Sequence, residues 1–255
     1  VLRLTVDNTA GMSTSVVTVG WVDKQFDNLA YDGPLGGSVL GGIVCPHGTI
    51  NDHCAETYTV EYAPQGGSFQ PVDPGMPVYN GPKVNQTFAP WDTNGLPDGA
   101  YTVRVTATDS CGHVDVDEKD YIIDNTAPVA IITSPENCDC VDGLVTVIGT
   151  ASDANLHSWV LQYSGGNQNT WVTIAQGTTN VFNGVLGTWD TTSLPNCPHV
   201  LRLVVTDEAD IDCNGAVHHQ SSFIVAVNVG CDETCEGDLN GDGVTDVQDM
   251  LALLG

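Results

Sequence analysis

The sequence predicts an all-β chain: two β-sandwich domains in series, followed by a short acidic loop and one helix. Three observations carry this prediction. "WDTNGLPDGAYTVRVTATD" (Trp91–Asp109) and "WDTTSLPNCPHVLRLVVTD" (Trp189–Asp207) align without a gap at an offset of 98, with Trp, Asp, Thr, Leu, Pro, Arg, Thr and Asp in the same places. A repeat of that size fits one sandwich and is far too long for a solenoid unit. Segments between Gly, Asn, Asp and Pro clusters alternate apolar and polar residues, as half-buried strands require. No stretch before residue 240 carries a helical period.

Composition bounds the function. The 255 residues suffice for two ordinary domains, and 41% hydrophobic content allows real cores. Six Lys and Arg stand against 32 Asp and Glu, a net charge of -26. That balance excludes nucleic acid, whose phosphates need basic partners, and anionic membrane surfaces. It reads either as a solubility feature or as charge that divalent cations partly neutralise. No apolar run reaches the roughly eighteen residues of a membrane span, so direct membrane insertion is not expected. Nine Cys with few Lys point to an oxidising setting, extracellular or at the cell surface. The chain has no initiator Met or signal peptide and opens within a strand, which is expected of a processed product or an excerpt.

Residues 1–27 come first. "VLRLTVDNTAG" matches the strand that contains Arg104 and Arg202, and "MSTSVVTVGWVDK" reads as a final strand. They are either the last two strands of a preceding sandwich or a hairpin that completes a domain on a neighbouring subunit by strand addition. Residues 28–127 form the first sandwich, with "SVLGGIV", "TYTVEYA", "QTFAPWD", "YTVRVTATD" and "VDEKDYII" as strands. Residues 128–230 form the second, with "LVTVIGTASD", "SWVLQYS", "TWVTIAQ", "VLRLVVTD" and "SSFIVAVNV". Trp91 and Trp189 read as core or corner packing, the alternative being an exposed sugar-stacking role. Tyr101 stands where sandwich domains place a tyrosine corner, and His199 holds the matching position. "NQT" at Asn85 is a formal glycosylation acceptor expected to be an ordinary turn.

The chain resembles tandem bacterial immunoglobulin-like domains of the fibronectin III and cadherin type. "IDNTAP" (Ile123–Pro128) resembles the boundary between such repeats, where cadherins bind calcium through Asp and Asn. The resemblance implies an interdomain metal at Asp124 and Asn125, with Asp153, Asp207 or Asp210 as partners. The alternative at this place is an Asx-turn that opens a domain.

Residues 231–255 hold the acidic loop. Counting from Asp238, positions one, three, five, nine and twelve are Asp238, Asn240, Asp242, Asp246 and Asp249. Gly243 falls at position six, where the wrapping backbone turns sharply, and Val244 at seven, where a backbone carbonyl serves. This is EF-hand calcium spacing with Asp in place of the final Glu. Carboxylates about 4 Å apart repel by roughly 4 kcal/mol per pair at an effective dielectric near 20, which a divalent cation turns into Ca–O contacts. "VQDMLALLG" then places Val247, Met250, Leu251 and Leu254 on one helical face. A calcium loop followed by one helix, without an entering helix, resembles a dockerin repeat. In that family paired repeats bind calcium and dock onto cohesin domains. This chain shows one repeat, with Val247 and Gln248 at the contact positions in place of the Ser-Thr pair often found there.

The cysteines group by the poles of the two sandwiches. Cys45, Cys54 and Cys111 fall at one pole of the first, and the simplest bridge joins Cys45 to Cys54, or one of them to Cys111. His47, His53 and His113 share that pole, so a zinc or copper site is the alternative. In the second sandwich, Cys138 or Cys140 is expected to pair with Cys197, and the remaining one with Cys231 or Cys235. Cys213 has no evident mate, and nine is odd. His218 and His219 are expected to precede a strand and face solvent. No nucleophile elbow, phosphate loop or HExxH is present, so the chain is not expected to be an enzyme.

The order of sandwich, sandwich and dockerin-like tail resembles large secreted surface proteins of bacteria, planctomycete-like in "GDLNGDGVTDVQDMLALLG". The resemblance implies an extracellular structural or adhesive protein, stabilised by calcium and disulfides, with copies of itself or other surface proteins as partners. It also implies a cohesin-like domain as a possible partner and a cell-surface fibre built by strand addition. The alternative is a non-catalytic accessory region of a secreted polysaccharide-degrading enzyme, anchored through the dockerin-like module. Calcium is expected to order the terminal loop. Thermograms and amide spectra recorded with calcium and with chelator should therefore differ at residues 238–249, and identical traces would reject that reading.

Overall fold

The computed structural model describes residues 2–7, 9–11, 13–18, 25–52, 54, 56–166, 168–213 and 217–230. The acidic loop, Cys231, Cys235 and His53 lie outside these residues. The described residues form strands and turns with no helix, so the expected all-β class holds. They gather into two compact units.

Unit 1 comprises Val1–Gly36, Cys45–Trp91 and Tyr101–Asp120. Leu2–Asp7 and Ser13–Thr18 make a two-stranded antiparallel hairpin of their own, with Val6, Val16 and Val17 exposed. Seven longer or paired strands make two sheets. Lys83–Thr87, His47–Asn51 and Asn28–Gly33 form one, in that order. Val114–Ile123, Gly99–Asp109, Glu56–Pro64 and Gln70–Pro71 form the other. Gly99–Asp109 shows why the sequence folds this way: from Tyr101 to Asp109 every second residue is buried, so one face meets the core and the other meets water. It pairs with Glu56–Pro64 in unbroken register from Tyr101 opposite Pro64 to Asp109 opposite Glu56. The interior holds Tyr31, Ile50, Tyr58, Val60, Phe88, Trp91, Val103 and Val105. The Tyr58 hydroxyl reaches the Phe88 carbonyl at 2.7 Å, and burial pushes its pKa up to about 12.

Unit 2 comprises Gly37–Val44, Asp92–Ala100 and Tyr121–Gly255. Val129–Ser134, Leu144–Ser152 and Val181–Asp190 form its three-stranded sheet. His218–Val229, Pro198–Asp210, Leu156–Gly165 and Gln168–Gly177 lie side by side in the facing sheet. Ile132, Val147, Leu186 and Trp189 from one sheet pack against Trp159, Leu161, Leu201, Leu203, Val205, Val225 and Val227 from the other. The segments from 37 to 44 and from 92 to 100 are tied to this unit by backbone hydrogen bonds. Gly41 N–H donates to Asp210 O, Asp124 N–H to Leu40 O and Thr93 N–H to Gly42 O, each at 2.8 Å.

Both units follow one plan. The first, second and fifth strands of each sandwich make the three-stranded sheet, and the others make the facing sheet with the sixth strand next to the seventh. That is the arrangement of an immunoglobulin-like sandwich. The repeated "WDT" motif is explained by its turn. Trp91 and Trp189 are buried, which removes them from any sugar-stacking role. Asp92 and Asp190 accept the backbone N–H two residues on, each at 3.0 Å. The Thr93 and Thr191 hydroxyls donate to the Gly42 and Gly143 carbonyls at 2.9 and 3.0 Å.

Tyr101 sits edge-on to Trp91 with ring centroids 6.1 Å apart, and His199 meets Trp189 the same way at 5.9 Å. Histidine thus fills the tyrosine's packing role. Its Nδ1–H donates to the Cys197 carbonyl, and burial holds its pKa below the usual value, so the ring is a neutral core residue. Asn85 is not in a turn. It lies at an irregularity of the Lys83–Thr87 strand with a φ of 50°, and Asn183 repeats it at 43°. Their N–H groups reach the Thr49 and Thr150 hydroxyls, and asparagine tolerates this left-handed backbone better than most residues.

Leu203 is fully buried in the core of unit 2, so Leu203→Ala should cost about 2–5 kcal/mol of stability. Chemical denaturation monitored through Trp fluorescence would measure it.

Candidate metal centre

Three carboxylates of unit 2 converge. Asp124, Asp153 and Asp207 place ligand oxygens within 4.8 Å of one another. Asp124 follows the Val114–Ile123 strand, Asp153 follows Leu144–Ser152, and Asp207 lies near the end of Pro198–Asp210. Asp124 and Asp207 are buried, and Asp153 is half-buried.

Each carboxylate also shapes the backbone beside it. Asp124 Oδ1 accepts the Thr126 N–H at 3.1 Å, and Asp153 Oδ1 accepts the Asn155 N–H at 2.7 Å. Asp207 Oδ1 accepts the Ala209 N–H at 3.1 Å. These are Asx-turns, in which the side chain stands in for a backbone carbonyl. The second oxygens reach outward from the turns. Asp124 Oδ2 takes the Asn155 amide at 2.6 Å, and Asp207 Oδ2 takes the His219 Nδ1–H at 2.9 Å. So Asp124 both closes an Asx-turn and belongs to the carboxylate cluster.

Burial pushes the Asp153 carboxyl above the usual aspartate range. The Asn155 N–H opposes that shift, and the Asp124 charge adds to it. Burial likewise raises Asp207 against the pull of His219. Protons are therefore held more tightly here than on a free aspartate, chiefly because burial disfavours the charged form, with the neighbouring carboxylates adding to it. Three carboxylate oxygens at this spacing fit a hard cation such as calcium, which takes six to eight oxygens at about 2.3–2.6 Å and completes its shell with carbonyls or water.

Of the sequence-predicted partners, Asp153 and Asp207 join Asp124 and Asp210 does not. The Asp210 side chain lies 3.6 Å from His218 Nδ1 instead. The Asn125 side chain serves the fold. Its Oδ1 accepts from Gly42 N–H at 3.0 Å, and its amide donates to the Thr93 carbonyl at 2.7 Å. Gly41 is required beside it, because a Cβ there would collide with the Asp124 carbonyl oxygen. Sequence reasoning missed Asn155 and His219. "DAN" after a strand was a readable Asx signal, whereas nothing in "HHQ" announces a contact with Asp207. His219, expected to face solvent, is mostly covered. Asp238, Asn240, Asp242, Val244, Asp246 and Asp249 lie outside the described residues.

The first unit presents related turns with different chemistry. Asp109 corresponds to Asp207 in the repeat and is also without side-chain exposure. Its Oδ1 accepts the Cys111 and His113 N–H groups at 2.7 and 2.9 Å, and its Oδ2 takes the His113 Nδ1–H at 2.7 Å. Burial alone would raise this carboxyl, but the His113 and Cys111 hydrogen bonds outweigh it and hold the group below the usual range.

The expected cysteine pairings change. Cys45, Cys140 and Cys213 are disulfide-bonded, so Cys213 does have a mate. Of the pairings expected at that pole, the fold brings together Cys54 and Cys111, whose thiol sulfurs lie 3.2 Å apart, and Cys45 is bonded elsewhere. Cys197 remains a thiol whose pKa is raised by burial, so no bridge joins it to Cys138 or Cys140. Among the described residues, which leave out His53, the thiols and histidines of the first unit do not converge as a metal site.

No family model matches the chain, and no curated protein matches it. Solved structures share its strand arrangement at low similarity. Fibronectin(III)-like modules of Clostridium thermocellum CbhA align with a TM-score of 0.42 at 16% identity, covering 78% of this chain and 93% of that one. The chicken CNTN1 FN1-FN3 domains align at 0.37 and 14%, covering 87% and 76%. A tetra-tandem repeat in the extending region of a large adhesion protein aligns at 0.35 and 18%, covering 89% and 55%. These are likenesses of fold and carry nothing about function.

The two equivalent aspartates should titrate on opposite sides of the ordinary aspartate value in cation-free buffer, Asp207 above it and Asp109 below. Carboxyl carbon shifts followed against pH by NMR would show this order, and coincident midpoints would contradict it.

Proposed function

We propose that this chain is an extracellular structural or adhesive segment whose immunoglobulin-like domains are stiffened by disulfides and by calcium. The observation that supports it best is the Asp124, Asp153 and Asp207 cluster. At an effective dielectric near 20, unit charges at that separation repel by roughly 3–4 kcal/mol per pair. A dication reverses the sign of that interaction and ties three chain segments together. In this reading the EF-hand-like loop from Asp238 to Asp249 is a second calcium site, and no catalytic step belongs to the chain. Partners are other copies of the chain or other surface proteins. The exposed Val6, Val16 and Val17 of the Leu2–Asp7 and Ser13–Thr18 hairpin support assembly by strand addition, because a two-stranded pair with exposed apolar residues gains from further pairing.

A second reading keeps the same sites. The dockerin-like spacing after Asp238 favours a non-catalytic accessory region of a secreted polysaccharide-degrading enzyme, docked through a cohesin-like partner.

The first reading has a signed test. Because the Asp153 and Asp207 pKa values are raised, the stability these groups lend to the cation-free fold is full below the ordinary aspartate value. It is lost as pH climbs through the raised values. A bound cation replaces the proton, so the gain in melting temperature from calcium should be absent near about pH 3.5 and grow toward neutrality. Saturation at a hundredfold over Kd corresponds to about 2.7 kcal/mol. Asp153→Asn keeps the turn acceptor but removes one charge. In chelator it should melt at or above the wild-type temperature, and in calcium below it. Equal calcium increments in the two proteins, measured by calorimetry, would remove the cluster from the argument.

A further inference from the structure

We propose that Cys54 and Cys111 form a disulfide that staples two turns of unit 1 together. Their sulfurs face each other at 3.2 Å, and a bond needs about 2.05 Å, so closure asks for a shift of only about 1 Å. The two residues lie 57 apart in sequence, so this approach is made by the fold and is not a local accident.

The backbone holds both thiols in place by the same device. Cys54 N–H donates to Asp52 Oδ1 and Cys111 N–H donates to Asp109 Oδ1, each at 2.7 Å. Asp52 follows the second strand of its three-stranded sheet directly, as Asp153 does in unit 2. The matching turn residues in unit 2 are Asn155 and Ala209, which bond to Asp153 and Asp207 in the same way. Both units therefore present paired turns at this place, and only unit 1 carries a thiol on each. The turn that bears Cys111 is further closed by Asp109 N–H to the His113 carbonyl and by Gly112 N–H to the Asp109 carbonyl.

The chemistry balances with a disulfide oxidant, either a thiol–disulfide oxidoreductase or a small-molecule disulfide RSSR. The exposed Cys111, as thiolate, attacks one sulfur of RSSR and expels RS⁻, leaving a mixed disulfide on the protein. Cys54, as thiolate, then attacks the Cys111 sulfur and expels the second RS⁻. The two thiol protons end on the two leaving thiolates, so two RSH are formed and the protein loses two electrons. Cys45, Cys140 and Cys213 are already oxidised in the same fold, so the staple needs no environment the chain does not otherwise use.

The test uses the full chain exported to an oxidising compartment and purified without reductant. Thiols are alkylated in the native state, and the protein is digested under non-reducing conditions for mass spectrometry. The expected result is a linked Cys54–Cys111 peptide in the bulk of the protein, lost on reduction, with neither residue alkylated. Cys111→Ser should make Cys54 open to alkylation after denaturation. Should that variant fail to fold, the wild-type peptide map decides alone. Alkylation of both residues in the native wild-type protein, or linkage of either to a different cysteine, would overturn the proposal.

Discussion

A carboxylate without solvent contact must be met inside the fold, and this requirement organises the turns that carry the chemistry of the molecule. Asp109 and Asp207 sit at the same place in the repeat, near the ends of long strands, with no side-chain exposure. An unpaired charge there would cost several kcal/mol. Each is met by the backbone N–H two residues on and by a histidine Nδ1–H. The histidines come from different sequence positions, so the demand belongs to the carboxylate and is not inherited with one partner. Once the donors are gathered, the chain leaving each strand has little freedom, and neighbouring residues acquire fixed directions.

The same aspartate then behaves in two ways because its surroundings differ in charge. Asp109 gathers a second backbone N–H, from His113, and its hydrogen bonds prevail over burial. Asp207 gathers fewer donors and has the charge of Asp153 close by, so burial prevails. A strand-terminal Asp is thus a carboxylate fully met by donors in one unit and part of a cluster of carboxylates in the other. The -26 net charge is no guide to which is which, since it counts exposed and buried acidic residues alike. What distinguishes the cluster is convergence under burial, and only the fold creates that.

The sheet architecture was legible because it rests on periodicity. Alternation in "YTVRVTATD" and the gapless match of Trp91–Asp109 with Trp189–Asp207 reflect burial of every second side chain and a turn chemistry local to a few residues. At the boundary "IDNTAP" the sequence offered Asp124 with Asp153, Asp207 or Asp210 as alternatives, and the fold brings Asp153 and Asp207 to it. The misreadings share a cause. Between the pairings left open for Cys45, Cys54 and Cys111, nearness in sequence favoured Cys45 with Cys54, whereas the fold brings Cys54 to Cys111, 57 positions away. His219 was assigned to solvent because a polar pair before a strand usually faces it, but register turns it toward Asp207. The Asn125 side chain joins Gly42 and Thr93, contacts between segments far apart in sequence. Contacts between distant segments are decided by register and rotamer, and neither is written in local composition.

The residue two places beyond each aspartate decides how a shared backbone is used. Where that residue is Asn155, its N–H completes the turn and its amide crosses to Asp124, drawing a third carboxylate into reach. Where it is Cys54 or Cys111, the N–H does the same work and the side chain brings sulfur to sulfur. An Asx-turn is therefore a mount that fixes the direction of whatever side chain follows it. Substitution at that one position can exchange ionic for covalent closure without altering the strands. In a protein with small sandwich cores, closure of the loops between sheets limits local opening, because the strands themselves already hold a full ladder of hydrogen bonds. Changing the mounted residue tunes that opening while the core remains as it was.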